Sequence, residues 1–227
     1  MKAVTVQFDQ SGSRYERLLD VLIASWNANT SIPLQVLRIP APKTGLRNDA
    51  FYYNHAKLRK WIDSVDQDTI FIDCDMLCLR DISDGFDNVQ HIGVTVRPGD
   101  YPMNCGVVFV RHNPKTMAFL EKWYEIDAQM LADEGFHMKW YKKVAGMNQS
   151  SMKWMIDNGY GDMVSTLPCT TYNLCDGQWD QWQQAKMIHI KGYLREYIMG
   201  GRPPKEFISE SYKQIKSVWQ SYFPIQK

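Results

Sequence analysis

Short apolar runs alternate with longer stretches of helical spacing along this chain. Ala3–Phe8 (A-V-T-V-Q-F) reads as a first strand, and Arg14–Asn27 sets Leu18, Leu19, Leu22, Ile23 and Trp26 on one helical stripe. Asp9–Ser13 between them reads as a polar turn. Pro33–Ile39 reads as a second strand, and Pro40–Asp49, with Pro40, Pro42 and Gly45, as a loop. Ala50–Asp63 has helical spacing and leads to Thr69–Leu77, where Ile70, Phe71 and Ile72 suit a strand covered on both faces. This β-α-β-α-β order predicts an α/β fold: a Rossmann-like, mixed but mostly parallel sheet flanked by helices. Further on, Ile92–Val96 and Gly106–Val110 read as strands, and Pro114 opens a helix carrying Met117, Phe119, Leu120 and Trp123. Asn148–Asp157 reads as a short helix closed by Asn158-Gly159, Ile188–Ile190 as a strand and Glu206–Tyr222 as a last amphipathic helix. The aromatic stretch Leu131–Ala145 selects no element.

Composition narrows the function classes. At 227 residues the chain can fold as one domain, and 44% apolar with 22% charged residues is ordinary for a globular protein. The 26 basic and 25 acidic residues nearly cancel, so bulk charge makes no case for a nucleic-acid partner. No apolar run reaches the length of a membrane span, and the first residues lack a signal-peptide layout, so a cytoplasmic protein is expected. Cys74, Cys78, Cys105, Cys169 and Cys175 are odd in number and contain no Cys-X2-Cys pair, which argues against a disulfide framework and a zinc site.

Three segments carry candidate chemistry. Asp73 and Asp75 follow the apolar run Ile70–Ile72, and a covered strand has no interior use for two carboxylates. Asp-X-Asp also suits an ordinary strand-to-turn junction. At the strand's end, however, the pair can face a crevice and hold a divalent cation through oxygen. Cys74 should point away from both carboxylates. His189 sits in the short apolar run Met187–Ile190, where a core imidazole is the commoner use. Yet Lys191, Gly192 and Arg195 follow it. The imidazole can complete the coordination of a metal held by Asp75, Gly192 lets backbone approach a phosphate, and Lys191 or Arg195 can neutralise that phosphate. Asn104 and Gly106 open a strong apolar strand. A simple turn explains them, or the amide bonds sugar hydroxyls while the glycine leaves room for the ring.

These residues, in this order, resemble nucleotide-diphospho-sugar glycosyltransferases of the GT-A fold. The chain is most similar to the retaining group of glycogenin and the bacterial galactosyltransferases. The resemblance runs from Val4 to about Arg195. It rests on the first strand to Phe8, on His55-Ala56-Lys57-Leu58-Arg59, on Phe71-Ile72-Asp73-Cys74-Asp75, on Asn104-Cys105-Gly106-Val107, and on His189-Ile190-Lys191-Gly192 with Arg195 three residues later. It departs from the family at Asn148-Gln149, where Asp-Gln is common, and in lacking the Pro-Trp that usually follows the last basic residue.

The resemblance implies a single glycosyltransferase domain over residues 1–227, with a nucleotide-sugar-binding half (1–112) and an acceptor half with the last helix (113–227). It implies transfer of a hexose from a nucleotide-diphospho-sugar, at family level a UDP-sugar. Mn2+ or Mg2+ would be held by Asp73, Asp75 and His189, with Asp73 shared between metal and ribose. Phe8, Lys57, Asp73, Asn104, Gly106, Lys191, Gly192 and Arg195 would bind the donor, and Gln149 and Asn148 would lie beside the reacting sugar carbon. The acceptor stays open: glycan, protein, lipid or nucleic-acid base. An inverting reaction would require a carboxylate base, for which Asp100, Asp176 and Asp180 are equal candidates. Trp140, Tyr141, Trp179 and Trp182 either stack on sugar rings or pack internally. Two alternatives use the same fold. A sugar nucleotidyltransferase requires a glycine-rich phosphate loop that Phe8–Arg14 lacks, and a non-catalytic carbohydrate-binding protein has no use for an intact metal triad.

Overall fold

The computed structural model describes residues 1–9, 14–99, 102–205 and 208–223. Part of the turn expected at Asp9–Ser13 (residues 10–13) and the candidate base Asp100 lie outside the described residues.

Strand β1 (Lys2–Asp9) runs between β2 (Leu34–Pro40) and β3 (Thr69–Ile72), parallel to both. Helices α1 (Arg14–Asn29) and α2 (Asp49–Asp63) make the two crossovers. The sheet continues through β6 (Met103–Val110), β5 (Ile92–Val96) and β7 (Val164–Pro168), giving six strands in the order β2-β1-β3-β6-β5-β7. β6 is antiparallel to β3 and β5, whereas β5 and β7 are parallel. The predicted mixed, mostly parallel sheet is therefore present.

Strand alternation divides the core. Val4, Val6, Phe71, Val94, Val108 and Val110 face the layer of α2, α3 (Pro114–Ala132) and α5 (Met147–Met155), where Trp61, Trp123 and Met152 are buried. Ala3, Ile70, Ile72, Val107 and Phe109 face Leu19, Leu22 and Trp26 of α1. A fully buried leucine such as Leu22 or Leu58 contributes roughly 1.5–3 kcal/mol of transfer free energy. Helix starts are fixed by side-chain caps: Asn48 accepts from Ala50 N, Asn113 from Thr116 N, and Asp133 from Phe136 N. The segment without a sequence assignment resolves into the end of α3 and a separate helix, α4 (Glu134–Val144).

A second, two-stranded sheet pairs β4 (Met76–Cys78) with β8 (Met187–His189). It packs with α7 (Gly192–Ile198) and α8 (Glu210–Ser221) in a third cluster around Leu77, Ile188, Leu194, Ile215 and Trp219. The last helix begins at Glu210, where Ser209 caps it; Glu206, where it was expected to open, lies outside the described residues. The expected stretch Thr69–Leu77 is two strands in different sheets, with Asp73–Asp75 at the turn between them. Between β7 and β8 lies a one-turn helix, α6 (Cys169–Tyr172).

All five cysteines are free thiols. Among the rear-half aromatics, Lys143 Nζ lies 3.9 Å above the Trp140 ring, Trp179 meets Tyr212 edge-on, and Trp182 Nε1 donates to Gln214. No helix among the described residues is long and apolar enough to cross a membrane.

Candidate metal and donor site

Two hydrogen-bonded ladders converge on the Asp-X-Asp turn. The β3–β6 register pairs Ile72 with Val107, and Asp73 N extends it by donating to Gly106 O at 2.9 Å. The β4–β8 register pairs Met76 with His189, and Ile190 N donates to Asp75 O at 2.7 Å. Residues 73 and 189, far apart in sequence, are therefore set side by side by backbone pairing rather than by side-chain preference.

The side chains complete the arrangement. His189 Nε2 lies 3.2 Å from Asp75 Oδ1 and 3.7 Å from Asp73 Oδ2. Each carboxylate gives its other oxygen to a cation: Lys57 Nζ is 2.5 Å from Asp73 Oδ1, and Arg195 Nη1 is 3.2 Å from Asp75 Oδ2. Lys57 is itself held over the Trp61 ring, one helical turn on, at 4.4 Å. Arg195 Nη1 also donates to Tyr15 Oη at 3.0 Å. Burial pushes the Asp75 carboxyl up, but His189, Arg195 and Lys57 outweigh it and hold the group down at about 2. The same carboxylates raise the Lys57 ammonium above its ordinary value, although burial opposes them.

These donor atoms fit a hard divalent cation. Asp73, Asp75 and His189 each offer one ligand atom within 4.8 Å of the others. Neighbouring ligands about 2.1 Å from an octahedral ion stand about 3 Å apart, close to the spacing of Asp75 and His189. Two carboxylate oxygens and an imidazole suit Mn2+ or Mg2+ better than a thiolate-seeking metal. Cys74 packs toward the α1 layer, and burial first, then both aspartates, push its thiol well above the usual range. It is not a ligand.

The cluster opens on a cleft of about 390 Å³ lined by Phe8, Tyr15, Tyr53, Asn54, Lys57, Asp73 and Asp75, among others. Phe8 meets Tyr53 edge-on at 4.6 Å. Lys191 pairs with Asp176 at 3.6 Å, and the same Asp176 carboxylate lies 3.0 Å from where a Cβ on Gly192 would stand. Gly192 has φ +54, a left-handed backbone that favours glycine.

Asn104 and Gly106 lie inside β6, not in a turn. The β5–β6 register jumps between Val94 and Thr95, from Val108 to Asn104, so the intervening residues bulge away from β5. A Cβ on Gly106 would stand 2.6 Å from His189 Nδ1, so the glycine makes room for the imidazole ring. Asn104 Oδ1 accepts from Gly106 N at 2.8 Å and from Asn173 Nδ2 at 2.9 Å. Asn173 Oδ1 lies 3.2 Å from His189 Nδ1. Asn173 and Tyr15 escaped the sequence reading. Tyr172-Asn173-Leu174 carries only the weak signal of a polar residue in an apolar run.

Asn148 and Gln149 open α5 behind a constrained turn. Ala145 has φ 51 and ψ 156, a sparsely populated conformation for a residue with a side chain, and Gly146 follows with φ 79. The Gln149 carboxamide lies against Gly146. Asn148 is buried, and neither Oδ1 nor Nδ2 has a partner among the described residues. No contact joins Asn148 or Gln149 to the Asp73–Asp75–His189 cluster among the described residues.

No protein-family model and no curated protein matches the chain. Solved structures do. The apo form of the glycosyltransferase GlyE of Streptococcus pneumoniae TIGR4 aligns with 99% of this chain at 13% identity and a TM-score of 0.62, this chain spanning 60% of that protein. The galactosyltransferase LgtC in complex with donor and acceptor sugar analogs aligns over 100% of this chain and 98% of its own, at 13% identity and a TM-score of 0.56. A glycosyltransferase involved in the glycosylation of the major capsid of PBCV-1 aligns over 97% and 100%, at 11% identity and a TM-score of 0.55. The likeness is one of fold, and the fold is that of the GT-A glycosyltransferases.

Proposed function

We propose that this chain is a metal-dependent glycosyltransferase that moves a hexose from a nucleotide-diphospho-sugar, a UDP-sugar by family likeness, to an acceptor that is a glycan, a protein, a lipid or a nucleic-acid base. The observation that carries this reading is the convergence of Asp73 Oδ2, Asp75 Oδ1 and His189 Nε2 beside the Phe8–Tyr53–Lys57 cleft. Residues 1–112 form the donor half and residues 113–227 shape the acceptor half.

When bound, Mn2+ or Mg2+ supplies Lewis-acid neutralisation of the departing nucleoside diphosphate. The chain's own residues prepare for it. Lys57 and Arg195 each engage one carboxylate oxygen, so the opposite oxygens turn toward His189. Their positive charges also oppose the negative charge that grows on the leaving group. Lys191 exchanges Asp176 for a donor phosphate, and the left-handed Gly192 lets the backbone come close behind it. Phe8 and Tyr53 offer an aromatic wall for the base. At the sugar, Gln149 supports the oxocarbenium-like carbon, with the buried Asn148 beside it.

A thermal-shift screen of nucleotide sugars with and without Mn2+ tests this. Ligand that binds only the folded state raises its stability by mass action. The largest shift is expected for a UDP-sugar with Mn2+, accompanied by slow donor cleavage, and Asp75→Ala should abolish both. No shift with any nucleotide sugar would favour a carbohydrate-binding protein, and an unchanged shift in Asp75→Ala would remove the metal role.

A further inference from the structure

We infer that Asn173 is a positioning residue that fixes the tautomer of His189, placing the proton on Nδ1 and aiming the bare Nε2 at the two carboxylates. The inference rests on the metal site proposed above, but its argument is one of hydrogen-bond direction.

The chain of bonds starts at a group whose direction is beyond choice. The Gly106 backbone N–H can only donate, and its acceptor is Asn104 Oδ1 at 2.8 Å. That fixes which end of the Asn104 amide is oxygen. The same oxygen lies 2.9 Å from the Asn173 amide, so the atom of Asn173 facing it is Nδ2. A second anchor gives the same answer. Thr95 Oγ1 donates to Asn104 O at 2.7 Å and accepts from Asn173 Nδ2 at 2.8 Å. With Nδ2 committed twice, Asn173 Oδ1 is the atom left for the imidazole, 3.2 Å from Nδ1. An oxygen acceptor there requires Nδ1–H. Thr95, Asn104, Asn173 and His189 are all buried, so water is poorly placed to reverse this polarity.

Energetic opposition makes the arrangement informative. Asp75 Oδ1, 3.2 Å from Nε2, would by itself draw the proton to Nε2. A metal cannot bind a nitrogen that carries that proton. Asn173 therefore counteracts the pull of the carboxylates and keeps the ligand atom free. The Asn-X-Gly segment of β6 acquires a second role: Asn104 supplies the polarity, and Gly106 supplies the space for the ring.

Heteronuclear NMR of metal-free protein, imidazole-labelled and assigned through His189→Gln, reads the tautomer directly. The spectra are recorded at about pH 9. Wild-type protein should show it on Nδ1. In Asn173→Ala it should move to Nε2, and Mn2+ affinity should fall by about 10- to 100-fold. Asn173→Asp keeps an oxygen acceptor for Nδ1 but turns its other oxygen toward Asn104 Oδ1 and Thr95 Oγ1, so it should restore Nδ1–H and recover only part of that affinity. A wild-type proton on Nε2, or a tautomer unchanged in Asn173→Ala, overturns the inference; the wild-type measurement decides even where a variant fails to fold. The metal reading is tested separately, because wild-type protein with Nδ1–H that binds no Mn2+ would refute that reading and leave the tautomer assignment standing.

Discussion

The Asp73–Asp75–His189 cluster and the Asn148–Gln149 turn make an instructive pair. In the first, each carboxylate meets a cation through one oxygen and His189 through the other, and both ring nitrogens of His189 face a polar atom. In the second, both polar atoms of a buried amide go without partners among the described residues, behind an alanine held in an unusual backbone conformation. The first region is organised by the protein alone. The second is incomplete without something else, because a buried polar group left unpaired costs about 1–3 kcal/mol. On the reading proposed above, the metal end would be ready before the donor binds, and the sugar end would be completed by the substrate.

The contrast can be broken hardest at Gly106. In Gly106→Ala the new methyl meets Nδ1 and Cε1 of His189 and Oδ1 of Asn104, all under 3 Å. Loss of stability on the order of 1–3 kcal/mol is expected from overpacking. Mn2+ affinity should fall by about 100-fold or more, since the ring itself must move. Urea unfolding and Mn2+ titration check the two effects separately, and a variant with wild-type affinity would show that the bulge has no part in placing the ring.

Acid should act next most strongly, and on the finished region. Asp75 sits at about 2 in the folded protein, below its ordinary value of 3.8. Between those values the unfolded chain binds a proton that the native one does not, so stability falls as pH falls. The Asp75 contribution is complete above about pH 4 and is lost toward pH 2, on the order of 2 kcal/mol. Urea midpoints across this range should drop less steeply in Asp75→Asn than in wild-type protein. Parallel profiles would mean that His189 and Arg195 do not stabilise the carboxylate.

The smallest effect is expected in the unfinished region. Asn148→Leu removes two unpartnered polar atoms from a buried position, so the metal-free protein should be unchanged or stabilised by up to about 1 kcal/mol. Donor cleavage should nevertheless fall, and Mn2+ affinity should hold. A marked loss of stability would mean that the amide already has a partner, such as buried water.

Much of this was legible in the sequence where the signal is local. Ile92–Val96 and β1 were evident because apolar runs bounded by polar turns need no distant partner to be recognised. Asp73, Asp75 and His189 stood out as polar residues in apolar surroundings, and Met76–Cys78 received no strand of its own because only the Asp-X-Asp turn separates it from β3. β7 went unseen because it is a half-exposed edge strand without alternation. α7 was hidden by its opening glycine, which reads as a breaker. Asn104 and Gly106 read as a turn because a bulge inside a strand has the composition of one. Asn173 was beyond reach: its meaning comes from Thr95, Asn104 and His189, distant segments that only the completed sheets bring together.

The central claim is that one cation is held jointly by the mid-chain carboxylates and the late imidazole. Pulsed EPR of Mn2+ added to the full chain addresses it directly, because an imidazole nitrogen bound to Mn2+ leaves its own hyperfine coupling. The account predicts that coupling in wild-type protein and its loss in His189→Gln. Mn2+ that binds without a nitrogen coupling, or a coupling that survives in His189→Gln, would contradict it.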